Sequence, residues 1–186
     1  MKVLQAPLSE NDVRSLRLGE IVYISGPVIT GRDEMHIRAL EYAKDGKAVP
    51  SGINGSVLYH CGPIMKKDGD SWAVVAAGPT TSARMNSLEA EMISVFDIRA
   101  IIGKGGMSTE TSETMKTTGC VYLAATGGAA VTLAEGLSSV VGVEWLDLGM
   151  PEAMWKFNAN RLGPLVVAMD AEGNSLYEAV RRSLKR

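Results

Sequence analysis

One pattern constrains this chain more than any other, and it recurs three times. An apolar run leads into a glycine-rich turn with a basic residue, and a segment with helical spacing follows. The turns are Thr30-Gly31-Arg32-Asp33, Gly78-Pro79-Thr80-Thr81-Ser82-Ala83-Arg84 and Gly103-Lys104-Gly105-Gly106. The runs before them are Ile21-Val22-Tyr23-Ile24-Ser25 continued by Val28-Ile29, residues 72–77, and Ile98-Arg99-Ala100-Ile101-Ile102. Behind the first turn, Met35, Ala39, Tyr42 and Ala43 share a helical face that stops at Gly46. Behind the second, Met85, Leu88, Met92 and Val95 do the same, with Thr81 or Ser82 as N-cap. Behind the third, Ser108 or Thr109 opens a helix that should end at Gly119, with Glu110 and Glu113 as first-turn charges. Strand–turn–helix units of this kind need a central sheet with helices packed against it, so the chain reads as mixed α/β.

The remaining segments fit that frame. Ser9 caps a short helix, residues 56–61 form a strand, and residues 66–70 a turn. Residues 121–125 form a strand, and Thr126-Gly127-Gly128 leads to a short helix from Ala129. Residues 140–148 look extended. Pro151 at a first helical turn predicts a helix through Trp155. Residues 165–169 are a last buried strand, and a basic-ended helix runs from Ser175. The N-terminal third is richest in strands, which adds a hairpin-like β layer. With 186 residues and no repeat or linker, the expectation is a single domain over 1–186.

Composition excludes several classes. A net charge of −2 and 5% aromatic residues give neither an electrostatic footprint nor stacking platforms for nucleic acid. Two cysteines, Cys61 and Cys120, are too few for a zinc or iron–sulfur site held by this chain alone, or for a secreted disulfide scaffold. No apolar run reaches membrane-spanning length and no signal peptide is evident, so a cytoplasmic protein is expected.

In α/β sheets, ligands gather beyond the carboxyl ends of strands. If the three turns share one edge, Arg32, Arg84 and Lys104 surround one pocket. Two guanidiniums and an ammonium suit a small dicarboxylate, held bidentately by the arginines. Each turn taken singly is also an ordinary capped helix start. Gly-Lys-Gly-Gly lacks the full phosphate-loop spacing. His36 sits on a predicted helix and reads as solvent-facing or structural. His60 and Cys61, adjacent in a strand, point to opposite faces, which is poor metal geometry, and no metal site is expected. Met85, Met92, Met107 and Met115 read as core packing, and the turns around Met107 and Trp155 as possible contact surfaces.

Taken together, these segments resemble a known family. They are Ser25-Gly26-Pro27 with Thr30-Gly31-Arg32-Asp33 and His36, Tyr59-His60-Cys61-Gly62-Pro63, Gly78 to Met85, Gly103 to Met107, Gly127-Gly128-Ala129-Ala130, Met150-Pro151-Glu152-Ala153 with Trp155, and Asp170 with Gly173-Asn174-Ser175-Leu176-Tyr177. In this order they resemble the β subunit of two-subunit class I fumarate hydratases and L-tartrate dehydratases, which is the C-terminal domain of single-chain members. The resemblance implies a swivelling β/β/α fold. It implies a [4Fe–4S] cluster held by a separate α subunit through three cysteines, with the fourth iron site open to substrate. It implies that Arg32, Arg84 and Lys104 bind substrate carboxylates, that Thr80 binds substrate and transfers a proton, and that Lys104 shares the catalytic work. Fumarate/malate is the implied substrate, with L-tartrate, or dicarboxylate binding without catalysis, as the alternatives. The expected partners are the α subunit and further copies of the αβ unit. Asn86 departs from the family, since some single-chain members carry Asp after Arg-Met.

Overall fold

Parallel pairing of short, doubly buried strands organises the molecule. The computed structural model describes residues 2–126 and 129–184. Strands β1 (Lys2–Gln5), β2 (Ile21–Thr30), β3 (Val57–Tyr59), β6 (Ala100–Gly103) and β7 (Val121–Ala125) pair in that order, all parallel. Strand β9 (Met154–Met169) runs antiparallel to β7 and also to β2, closing a ring of β2, β3, β6, β7 and β9. Strand β8 (Leu137–Glu144) adds to the outer side of β9. Strands β4 (Ile64–Asp68) and β5 (Ser71–Ala76) form a separate two-stranded hairpin. The chain is therefore mixed α/β, as its sequence predicts.

Side-chain alternation divides the core in two. Val57, Tyr59, Ala100, Ile102, Val121 and Leu123 face one cluster, which the hairpin, helix α1 (Glu10–Arg14) and helix α5 (Ala130–Glu135) help to cover. Leu58, Ile101 and Tyr122 face the other, beneath helices α2 (Asp33–Lys44), α3 (Asn86–Phe96) and α4 (Thr109–Thr118). Local signals account for several boundaries. Ser9 and Asp12 form a reciprocal capping box on α1. The Ser108 side chain caps α4, and Gly119 ends it in the left-handed conformation. Ser175 caps the last helix, α6 (Leu176–Ser183).

Four expectations need correcting. Pro151 does not start a helix: residues 149–153 turn, and β9 begins at Met154. Trp155, Phe157 and Ala159 are buried while Asn158 and Asn160 are exposed, a period-two pattern that outweighs the proline signal. Trp155 itself is wholly buried, so its side chain is core packing rather than surface. Residues 66–68 belong to β4, and the turn is confined to Gly69-Asp70. The helix after Arg84 buries Glu89, Met92, Ile93 and Phe96, whereas Val95 is 45% exposed. Its face is rotated from the predicted one because a 3-10 turn (Ser82–Met85) precedes it. Met85, Met92 and Met115 are fully buried and Met107 partly so. Gly127 and Gly128 lie outside the described residues. Among those described, no helix is long and apolar enough to cross a membrane.

Candidate active site

Three neighbouring parallel strands, β2, β3 and β6, end side by side, so the residues that follow them share one edge. Arg32 follows β2, and the Gly31 N–H donates to the Tyr59 carbonyl 3.0 Å away at the end of β3. Lys104 follows β6 and is exposed. The Thr80 segment arrives differently, from the hairpin rather than from a central strand. It is laid across the edge by three backbone links: the Thr80 N–H donates to the His60 carbonyl (2.8 Å), the Ser82 N–H to the Lys104 carbonyl (3.0 Å), and Thr81 bridges Lys104 in parallel. The Arg84 guanidinium lies 3.0 Å from the Asp33 carboxylate, next to Arg32. The loops of Arg32, Thr80, Arg84 and Lys104 thus meet on one edge.

Arg32 occupies the N-cap position of α2 without a side-chain cap. Its Nε lies 3.2 Å from Glu152 Oε1, out of line for a good hydrogen bond, and the Glu34 N–H donates to the other Glu152 oxygen. The turn at Met150–Ala153 therefore braces Arg32. Gly62 leaves room for it, since a Cβ there would sit 2.8 Å from Arg32 Nη1. Neither Thr81 nor Ser82 caps a helix through its side chain. Asn86, the departure from the family, accepts the Ser108 N–H at 2.9 Å and ties α3 to the start of α4.

Beneath this edge lies a buried polar cluster that the sequence does not announce. His36 is neither solvent-facing nor isolated: His36, His60 and Glu89 are all fully buried. His36 Nε2 and His60 Nε2 lie 3.1 and 3.0 Å from the same oxygen, Glu89 Oε2, the His60 contact being out of line. His36 Nδ1 reaches the Arg32 carbonyl at 2.7 Å. His60 Nδ1 lies 2.9 Å from Ser82 Oγ, which lies 2.9 Å from the Tyr122 hydroxyl. The Gly106 N–H donates to that hydroxyl at 3.3 Å. No local pattern marks Glu89, because its partners come from other elements.

A carbonyl only accepts, so His36 Nδ1 must carry a proton. Its Nε2 then needs a second proton to meet a carboxylate, which makes His36 the cation. Burial alone would lower the His36 pKa, but the Glu89 charge and hydrogen bond outweigh it and leave it raised. Burial lowers His60, and Glu89 only partly offsets this. Burial would raise Glu89, but the two imidazoles overcome it and hold the carboxyl well below its usual range. Among the described residues these three are the group whose ligand-type atoms approach closely enough for a metal ion. Both nitrogens converge on one carboxylate oxygen at hydrogen-bond lengths, the spacing of an ion-paired cluster.

The sequence model of the Fumarase C-terminus family matches residues 2–180. "Putative L(+)-tartrate dehydratase subunit beta" of Methanocaldococcus jannaschii is 50% identical over 178 residues, covering 95% of this chain and 91% of that protein. "Putative fumarate hydratase class I" of Geobacillus stearothermophilus is 45% identical over 181 residues, 97% of this chain but 34% of that protein. The L(+)-tartrate dehydratase subunit beta of Escherichia coli K12 is 37% identical over 175 residues, covering 94% of this chain and 86% of that one. The chain belongs to the Fumarase C-terminus family.

Proposed function

We propose that this chain is a single-domain β subunit of a class I hydro-lyase, which hydrates fumarate to malate reversibly in a site completed by an α subunit. The observation that carries this reading is the shared edge: the loop bearing Thr80 and Arg84 is tied by backbone bonds to His60 and Lys104, and the Arg32 loop joins it through the Gly31–Tyr59 backbone bond and the Asp33–Arg84 ion pair. The names of the relatives support a β subunit with a partner. They favour L-tartrate as strongly as fumarate, so dehydration of L-tartrate is the second reading. The αβ unit is proposed to form a symmetric assembly in the cytoplasm.

The two cysteines do not fit an iron–sulfur cluster in this chain. Cys61 and Cys120 belong to different cores, and burial pushes the thiol of Cys61 up to about 12 and that of Cys120 well above its usual value. A [4Fe–4S] cluster in this reading belongs to the α subunit. The β chain contributes positioning and charge. Arg32 and Arg84 hold the substrate carboxylates, and Lys104 stabilises negative charge as it builds beside one of them. Thr80 is a poor base at its free pKa, so it moves a proton only where those cations favour its alkoxide or where it relays.

The test is anaerobic turnover, with this chain alone and with a cluster-loaded α subunit, on fumarate and L-tartrate in parallel. The reading expects activity in the mixture alone, and the faster substrate names the enzyme. An intact complex that turns over neither acid would refute it.

A further inference from the structure

We infer that the buried chain Arg32 carbonyl–His36–Glu89–His60–Ser82–Tyr122–Gly106 is a positioning device that locks the Arg32, Thr80 and Lys104 loops into one rigid unit, with Glu89 as its charged centre. Its catalytic consequence rests on the function proposed above; its existence does not. Every link after the first, which lies within the opening turn of α2, crosses between elements: His36 on α2, Glu89 on α3, His60 after β3, Ser82 in the 3-10 turn, Tyr122 on β7 and Gly106 after β6. The same residues hold the functional loops by their backbones. His36 N–H donates to the Arg32 carbonyl, the His60 carbonyl accepts from Thr80, and the Ser82 N–H donates to the Lys104 carbonyl. Each of the three loops is therefore one backbone bond from a member of the chain.

Proton counting gives the device a direction. The Gly106 N–H can only donate, so the Tyr122 oxygen accepts and its proton is free for Ser82. Ser82 then donates to His60 Nδ1, which leaves the His60 proton on Nε2, facing Glu89. On the other arm, the Arg32 carbonyl fixes a proton on His36 Nδ1, and Nε2–H faces Glu89 as well. Both arms thus turn an Nε2 proton toward one carboxylate, His36 as a formed hydrogen bond and His60 at 3.0 Å but out of line, and a His36 cation balances its charge. The other titratable groups around the chain are Arg32 and Asp33 at the start of α2, Cys120 on the Glu89 side and Tyr177 beside Tyr122.

Stability does not explain the arrangement. Buried ion pairs are often matched or bettered by apolar residues of similar volume. Here one oxygen, Glu89 Oε1, is buried with no hydrogen-bond partner among the described residues. What the cluster provides is register between three loops. Glycine enforces it: a Cβ on Gly103 would fall on Ser82 Oγ and reach within 3.0 Å of the Tyr122 hydroxyl.

The chain has two histidines, so their ring nitrogens can be read without ambiguity after 15N-histidine labelling. Near neutral pH, the proposal expects His36 as the imidazolium and His60 neutral with its proton on Nε2. Glu89→Gln should make His36 neutral. Ser82→Ala, a smaller change that keeps the proposal testable should Glu89→Gln not fold, should leave His36 charged and move the His60 Nδ1 signal. Two neutral histidines that titrate normally would overturn it. So would stoichiometric metal in the purified chain, bound at both Nε2 atoms. In the αβ complex, Ser82→Ala should lower kcat about 10- to 100-fold after correction for folded protein, with a smaller change in KM. An unchanged corrected kcat in an active wild-type complex would confine the cluster to folding. Inactivity of the wild-type complex on both acids would defeat the proposed function and leave the histidine result standing.

Discussion

The Arg32 turn and the Thr80 turn reach the same edge by different means. Arg32 is placed by the sheet: it follows a ten-residue strand paired on both sides and opens α2 directly. Thr80 leaves a detached hairpin, and hydrogen bonds to His60 and Lys104 place it. A sheet positions residues through packing that many side chains share. A hydrogen-bonded loop depends on a few atoms, and one of its three hydroxyls, that of Ser82, is engaged below the surface by His60 and Tyr122. The comparison predicts that small changes beneath the Thr80 turn matter more than larger ones at its rim.

The largest effect should come from Gly103→Ala, whose added methyl collides with the Ser82 hydroxyl. Overpacking costs about 1–3 kcal/mol before any loss of the hydrogen-bond chain is counted, and thermal unfolding should show a clear fall in Tm. A wild-type Tm would mean that the Thr80 turn is not pinned as described. Tyr122→Phe should follow. It strands the Gly106 N–H in a buried site and leaves Ser82 with His60 as its partner, at about 1–3 kcal/mol, measurable by urea unfolding.

A pH series sharpens the comparison further. His60 and Glu89 both have lowered pKa values in the fold, so the unfolded chain binds more protons than the native one. Their contribution is complete above the ordinary histidine value of 6.5 and is lost as pH falls, first for His60 and then, below 4.5, for Glu89. His36 has the opposite sign: its raised pKa contributes stability below 6.5, which is lost as pH rises through the elevated value. Tm should fall on both sides of a maximum. In Glu89→Gln the alkaline loss attributable to His36 should disappear. A small effect on stability belongs to Arg84→Ala. Its guanidinium is 52% exposed, and such surface pairs contribute about 0.2–1 kcal/mol. Its expected effect is kinetic, with KM raised and kcat lowered together in the αβ complex.

Legibility in the sequence follows the range of the interaction. The Ser108 cap and the Gly119 stop of α4 are visible because both act within a few residues. The strand pattern around β3, β6 and β7 is visible because strands buried on both faces are continuously apolar. The start of β9 is misread because a proline ahead of Glu152 resembles a helix opening, although Trp155, Phe157 and Ala159 alternate with Lys156, Asn158 and Asn160. Ser82 looks like a cap and is a buried link; Glu89, which no local pattern marks, is the centre of the cluster. Those roles depend on His36 and His60, which lie 53 and 29 positions before Glu89 in the chain.

The most direct test of the central claim, that this edge is the β-subunit half of a dicarboxylate site, is steady-state kinetics of Lys104→Ala in the αβ complex. Lys104 is exposed on the edge, so its removal should leave Tm and assembly unchanged. The account predicts a raised KM and a kcat lower by about two orders of magnitude, as for loss of one preorganised charge at developing anionic density. Wild-type kcat and KM in that variant would contradict it.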